Sequence, residues 1–133
     1  PAVSKDKLVK KSIIKKEFFD LSDEIDVTGT TPIGFEVLGE KYNTKNWKWF
    51  FIDICKILYK LDKEIFTSFT IDNDFAGRKN RTISDIDDMR EGYKIDEKIY
   101  IETHFNSNTS LNNIKLVMEK YGFNDKDLIY WIK

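Results

Sequence analysis

Residues 46–61 read NWKWFFIDICKILYKL, and this stretch decides the fold. Trp47, Phe50, Phe51, Ile54, Ile57, Leu58 and Leu61 recur at helical spacing and form one broad apolar stripe. Trp49, Ile52, Cys55 and Tyr59 widen it almost round the cylinder. Asp53, Lys56 and Lys60 share a narrow polar sector, with Lys48 at its margin. A helix this apolar must be buried on most sides, by a sheet on one face and by another element opposite.

The flanks supply the sheet. Thr44 or Asn46 caps the helix, because a short polar side chain can accept a free N–H there. Upstream, Ile33–Val37 and Lys41–Thr44 read as two short strands joined at Gly39-Glu40. Before them Val27–Pro32 (VTGTTP) is a turn-rich hinge. Downstream, residues 60–69 continue the helix or break and restart near Asp62. Residues 70–92 are irregular: a loop at Asp72–Gly77, a basic run at Arg78–Arg81 and a brief strand at Thr82-Ile83. A short helix capped by Ser84 and ended by Gly92 follows. Lys98–Phe105 is the clearest strand. A second helix, with Ser107, Thr109 or Ser110 as cap, buries Leu111, Ile114, Val117, Met118 and Tyr121 and stops at Gly122. Leu128–Lys133 closes the chain as a strand.

The expected fold is α+β: a mostly antiparallel sheet packed against the long central helix and a second, C-terminal helix. The terminal strand–helix–strand can alternatively be a parallel crossover. With 133 residues the chain fits one domain. That domain is placed at residues 27–133, after a lead-in over 1–26 that is first basic, then acidic. Residues 1–16 hold six lysines, among them Lys10, Lys11, Lys15 and Lys16, while residues 17–40 hold seven acids and no base. Glu17–Asp26 reads as a short helix or turn against the core. The chain begins without methionine, so a processed protein or part of a larger polypeptide is expected.

The single cysteine, Cys55, sits inside the apolar helix and reads as a buried, inert thiol suited to a reducing compartment. No apolar run reaches the roughly 18–20 residues of a membrane span, and no signal-peptide core is present. A cytoplasmic protein without membrane contact is therefore expected.

Catalytic signatures are missing. Glu102 and His104 share a strand face and could form an acid–base pair, but one histidine is too little for a zinc site. Asp72-x-Asp74-x-x-Gly77 starts like a calcium loop, yet Ile83 stands where a bidentate Glu is needed. There is no P-loop spacing and no nucleophile elbow. No catalytic residue, metal or cofactor is expected.

Binding offers more. Net charge is −1, which argues against a whole-domain grip on nucleic acid and leaves room for a local one. Arg78, Lys79 and Arg81 lie in one loop, with Arg90 not far on, and arginine suits phosphate. Alternatively, Asp85, Asp87 and Asp88 neutralise that cluster. Ser107, Asn108, Thr109 and Ser110 open a helix and could hold an anion, although ordinary capping explains them equally. Trp49 and Trp131 are the tryptophans best suited to an exposed contact, such as a protein partner.

Taken together, VTGTTPIGFEVLGEKYNTKNW, ICKILY, GRKNR, IYIETHFNSNTSLNNIK and YGF make a pattern over residues 27–133. It resembles a small accessory domain at the C-terminal end of prokaryotic restriction-type and other DNA-processing or defence proteins. Thr28, Gly29, Pro32, Phe35, Gly39, Tyr42 and Trp47 match its hairpin and helix start. Gly77, Arg78 and Lys79 match its basic loop, and Glu102, Thr103 and Ser107 its serine-rich strand end. The resemblance implies a DNA-associating context and carries over no active residue. The expectation is thus a non-enzymatic domain that meets DNA through Arg78, Lys79, Arg81 and Arg90, helped by the N-terminal lysines. The alternative is an interaction or oligomerisation module that meets a protein partner through the broad helix face.

Overall fold

The computed structural model describes residues 18–133, so the lysines at 10, 11, 15 and 16 lie outside the described residues. Asn46 is the cap of the long helix α1 (Trp47–Leu61), its side chain accepting from the Trp49 N–H at 2.9 Å. Upstream lie β1 (Phe18–Asp20), β2 (Pro32–Val37) and β3 (Glu40–Asn43). Asp62 interrupts the helix with extended backbone and caps α2 (Lys63–Ser68). Then come β4 (Ile83–Ser84), β5 (Gly92–Asp96), β6 (Ile99–Glu102), α3 (Ser107–Lys120) and β7 (Leu128–Ile132). The α+β expectation holds: helices pack on wholly antiparallel sheets.

There are two sheets where one was expected. The first has four strands in the order β1-β7-β2-β3, the second three in the order β4-β6-β5. Because β6 and β7 fall in different sheets, the parallel crossover does not form. Within the stretch read as helix or turn, Phe18–Asp20 is instead a strand paired with Trp131, Tyr130 and Ile129, and the turn follows at Leu21-Ser22 with Leu21 buried. Phe18 and Phe19 are adjacent, and three residues are too few to tell a strand's period from a helix's.

Register explains why α1 is enclosed. Phe19, Tyr130, Phe35 and Tyr42 oppose one another across all four strands of the larger sheet and form a single aromatic row. Phe35 stacks on Tyr42 at 4.9 Å and on Phe50 of α1 at 4.8 Å between ring centroids. Trp47 meets Tyr130 edge-on and donates its indole N–H to the Thr30 carbonyl at 3.0 Å. On another side Trp49 packs edge-on against Tyr93 of β5, joining α1 to the smaller sheet. On a third, Tyr121 at the end of α3 directs its hydroxyl at the Leu58 and Asp62 carbonyls. Trp47, Phe50, Phe51, Ile52, Ile54, Cys55 and Leu58 are all buried in one continuous core. Burial pushes the Cys55 thiol well above its ordinary pKa, as the sequence implied for an inert thiol.

Two local expectations fail. Residues 85–91 form no helix: Ser84 lies in β4, its hydroxyl accepts from the Ile86 N–H at 3.3 Å, and Gly92 starts β5. The acids of this stretch give a helix no apolar face to bury. The cap of α3 is Asn106, which accepts from the Thr109 N–H at 2.8 Å, so Ser107, Thr109 and Ser110 lie inside the helix. Gly122 does end α3, at φ +86°, and the Phe123 N–H reaches the Met118 carbonyl.

Phe50→Ala removes the ring shared by Phe35, Trp47 and Tyr130 and is expected to cost about 3–5 kcal/mol. Asn46→Ala is expected to cost only about 1 kcal/mol. Urea unfolding followed by circular dichroism checks both.

Candidate nucleic-acid interface

The basic loop is built by closing a short excursion of the chain. Phe75, buried against Phe69 at 4.8 Å, anchors the way in. The Thr82 N–H donates to the Phe75 carbonyl at 2.8 Å and fixes the way out. Gly77 turns the chain at φ +67°, where an added Cβ would collide with the Asn80 backbone carbonyl. Arg78, Lys79 and Asn80 at the tip are exposed.

Arg81 plays a different part from the one expected. Its guanidinium turns inward, with Nε donating to the Ile83 carbonyl at 2.9 Å. One Nη donates to the carbonyls of Phe69 and Asp72 at 2.9 and 2.6 Å. Half-buried, it ties the base of the loop to the preceding turns while still lining the cleft beside Arg78 and Lys79. An arginine that satisfies three carbonyls looks the same in sequence as one that faces water.

Arg90 arrives from the irregular stretch before β5 and is held in place by Glu102. That carboxylate is 8% exposed. Its Oε1 accepts the Arg90 N–H, and its Oε2 accepts the N–H groups of Glu91, Thr103 and His104, at 2.9–3.1 Å. Burial works to raise its pKa, but the four backbone donors outweigh burial and lower it. Glu102 is therefore the pin that holds residues 90–91 to the end of β6, and its oxygens are committed to that task. The His104 ring turns to Glu91, Nδ1 to Oε2 at 3.6 Å, and not to Glu102. Glu91 also pairs with Lys48, whose hydrogen bond and charge hold the Glu91 carboxyl below its ordinary range.

Together these segments wall an open cleft of about 730 Å³ whose lining includes Arg78, Lys79, Arg90, His104 and Phe105. Arg78, Lys79 and Arg90 make no ion pair among the described residues. The nearby acids Asp72 and Asp74 are taken by Lys120, at 3.0 and 2.5 Å. His104 and Phe105 reach the basic loop only through the pairing of β4 with β6, which brings residues 83 and 101 together and which no local pattern in the sequence shows.

At the second expected anion site the chain itself takes up the Asn108 side chain. Asn108 accepts from the Val27 N–H at 2.9 Å and donates to Asp26 at 2.9 Å and to Thr28 at 3.1 Å. The Asp26 carboxyl is lowered to about 2, first by the Asn108 hydrogen bond and then by Thr28. Ser110 is buried. The polar start of α3 thus fastens the 26–30 turn. Among the described residues no cluster of His, Cys, Asp and Glu is placed to hold a metal, and no helix is long and apolar enough to cross a membrane.

Compared with family models, curated proteins and solved structures, the chain gives no match.

Glu102→Gln offers one acceptor in place of two and turns an N–H₂ toward backbone donors. It is expected to cost about 2–3 kcal/mol at neutral pH. The Glu102 pKa is lowered by folding, so its contribution is present above the ordinary value of 4.5 and fades as pH falls through the folded value. The gap between wild type and Glu102→Gln, measured by urea unfolding from pH 7 downward, is therefore expected to narrow in acid.

Proposed function

We propose that this domain associates with nucleic acid through phosphate contacts from Arg78, Lys79 and Arg90, as an accessory part of a prokaryotic DNA-processing or defence system. One observation carries the reading. Two separate segments bring these three cations to one open cleft, and none of them is neutralised by an ion pair among the described residues. Phe105 adds an aromatic surface on which a base can stack. Lys10, Lys11, Lys15 and Lys16 serve in this reading as a second, non-specific source of positive charge. The domain binds and does not catalyse: the best acid–base candidate, Glu102, spends its oxygens on backbone N–H groups. The buried lone thiol fits a cytoplasmic setting.

A protein-interaction module is the second reading. Its support moves from α1, most of whose apolar residues are buried, to the outer face of the four-stranded sheet.

Duplex DNA binding is expected to be weak and to fall about 40-fold between about 50 and 200 mM salt, as for some three phosphate contacts. Arg78→Ala with Lys79→Ala is expected to weaken binding alike on all sequences and to lower the salt slope by about two. Arg81→Ala is expected instead to lower thermal stability. Fluorescence anisotropy across a salt series measures the first two. Affinity indifferent to salt or to the double substitution overturns the proposal.

A further inference from the structure

Phe105 is an aromatic side chain that the core does not use. It is half-buried, yet it neither joins the core nor packs against it. Its ring meets no other ring among the described residues. Instead it lines the cleft with Arg78, Lys79 and Arg90.

The backbone that carries this ring is fixed on both sides. Glu102 and Thr103 before it are buried, and the Thr103 hydroxyl donates to the Glu91 carbonyl at 2.6 Å. The Phe105 N–H donates to the Thr103 carbonyl at 3.1 Å. Asn106 follows at once and caps α3. A ring held this way gives up little freedom when a ligand stacks on it.

A duplex has little use for such a ring. Its bases keep their faces stacked inside, and it turns phosphate, sugar and base edges outward. An unpaired strand exposes the faces, and every base has one to stack. The cleft, about 730 Å³, falls within the roughly 300–1,000 Å³ usual for small-molecule sites. It admits a body of nucleotide size, while a double helix could only lie across its mouth. The acids beside it do not oppose a phosphate. Glu102 gives its oxygens to backbone N–H groups, and Glu91 pairs with Lys48.

We propose that the cleft takes an unpaired strand in preference to duplex. One base stacks on Phe105, and the flanking phosphates are met by Arg78 and Lys79 from the loop and by Arg90 from the stretch before β5. This rests on the nucleic-acid reading and names the form of its ligand.

Fluorescence anisotropy with the full chain tests it, using an oligothymidylate of about ten nucleotides and a duplex of the same length. The single strand is expected to bind about tenfold or more tighter at equal salt. Phe105→Leu stays apolar but loses the π face, and it is expected to narrow that preference about tenfold. An abasic strand of the same length, offered to the unaltered protein, is expected to bind about tenfold more weakly than oligothymidylate, which needs no substitution to read. No preference for the single strand, or a preference that survives both Phe105→Leu and loss of the bases, overturns the proposal. The two failures are distinguishable. If both forms bind alike and weaken alike with Arg78→Ala and Lys79→Ala together, only the unpaired form is wrong and the phosphate reading stands. If neither binds, or binding ignores that double substitution, the nucleic-acid reading falls and this proposal with it.

Discussion

An almost wholly apolar helix leaves the chain around it little freedom. A stripe of ordinary width is satisfied by one layer, but α1 buries residues from Trp47 to Leu58 around most of its circumference. Three neighbours are needed, and the molecule supplies one sheet, a second sheet and α3. Phe50, stacked on Phe35 and close to Trp47 and Tyr130, is where the helix meets the aromatic row. The two small sheets would be marginal alone, the smaller with strands of two to five residues. They gain their stability by sharing this helix.

Elements that follow from their own periodicity were legible in the sequence. The hairpin, α1 with its Asn46 cap, the break at Asp62, α3 with its Gly122 stop and β7 all stand close to where the residues put them. What could not be read depended on partners distant in sequence. Phe18–Asp20 is a strand only because β7 lies beside it. Gly92 looks like a helix stop, yet β6 draws it into a ladder opposite Glu102. The polar residues that open α3 read as a site for a foreign anion because nothing local shows that Asp26, eighty-two positions from Asn108, supplies the negative charge.

The candidate interface divides along the same line. Arg78 and Lys79 were legible because a glycine-turned loop can hardly do anything but expose them. Arg81, two residues on, was not, because its carbonyl partners come from Phe69, Asp72 and Ile83. Glu102 shows a buried charge made tolerable without a counter-ion, its oxygens solvated by amide dipoles in place of water. The cationic side chains stand above a floor that is rigid and already satisfied, and so remain available to ligands.

Cys55 has a practical consequence. The only thiol of the chain is sealed in the helix that every layer touches, and burial suppresses its thiolate. A thiol reagent can reach it only when those layers part. The rate of its modification therefore counts excursions of the whole interior, a clock set by the same global opening that protects the slowest-exchanging amides.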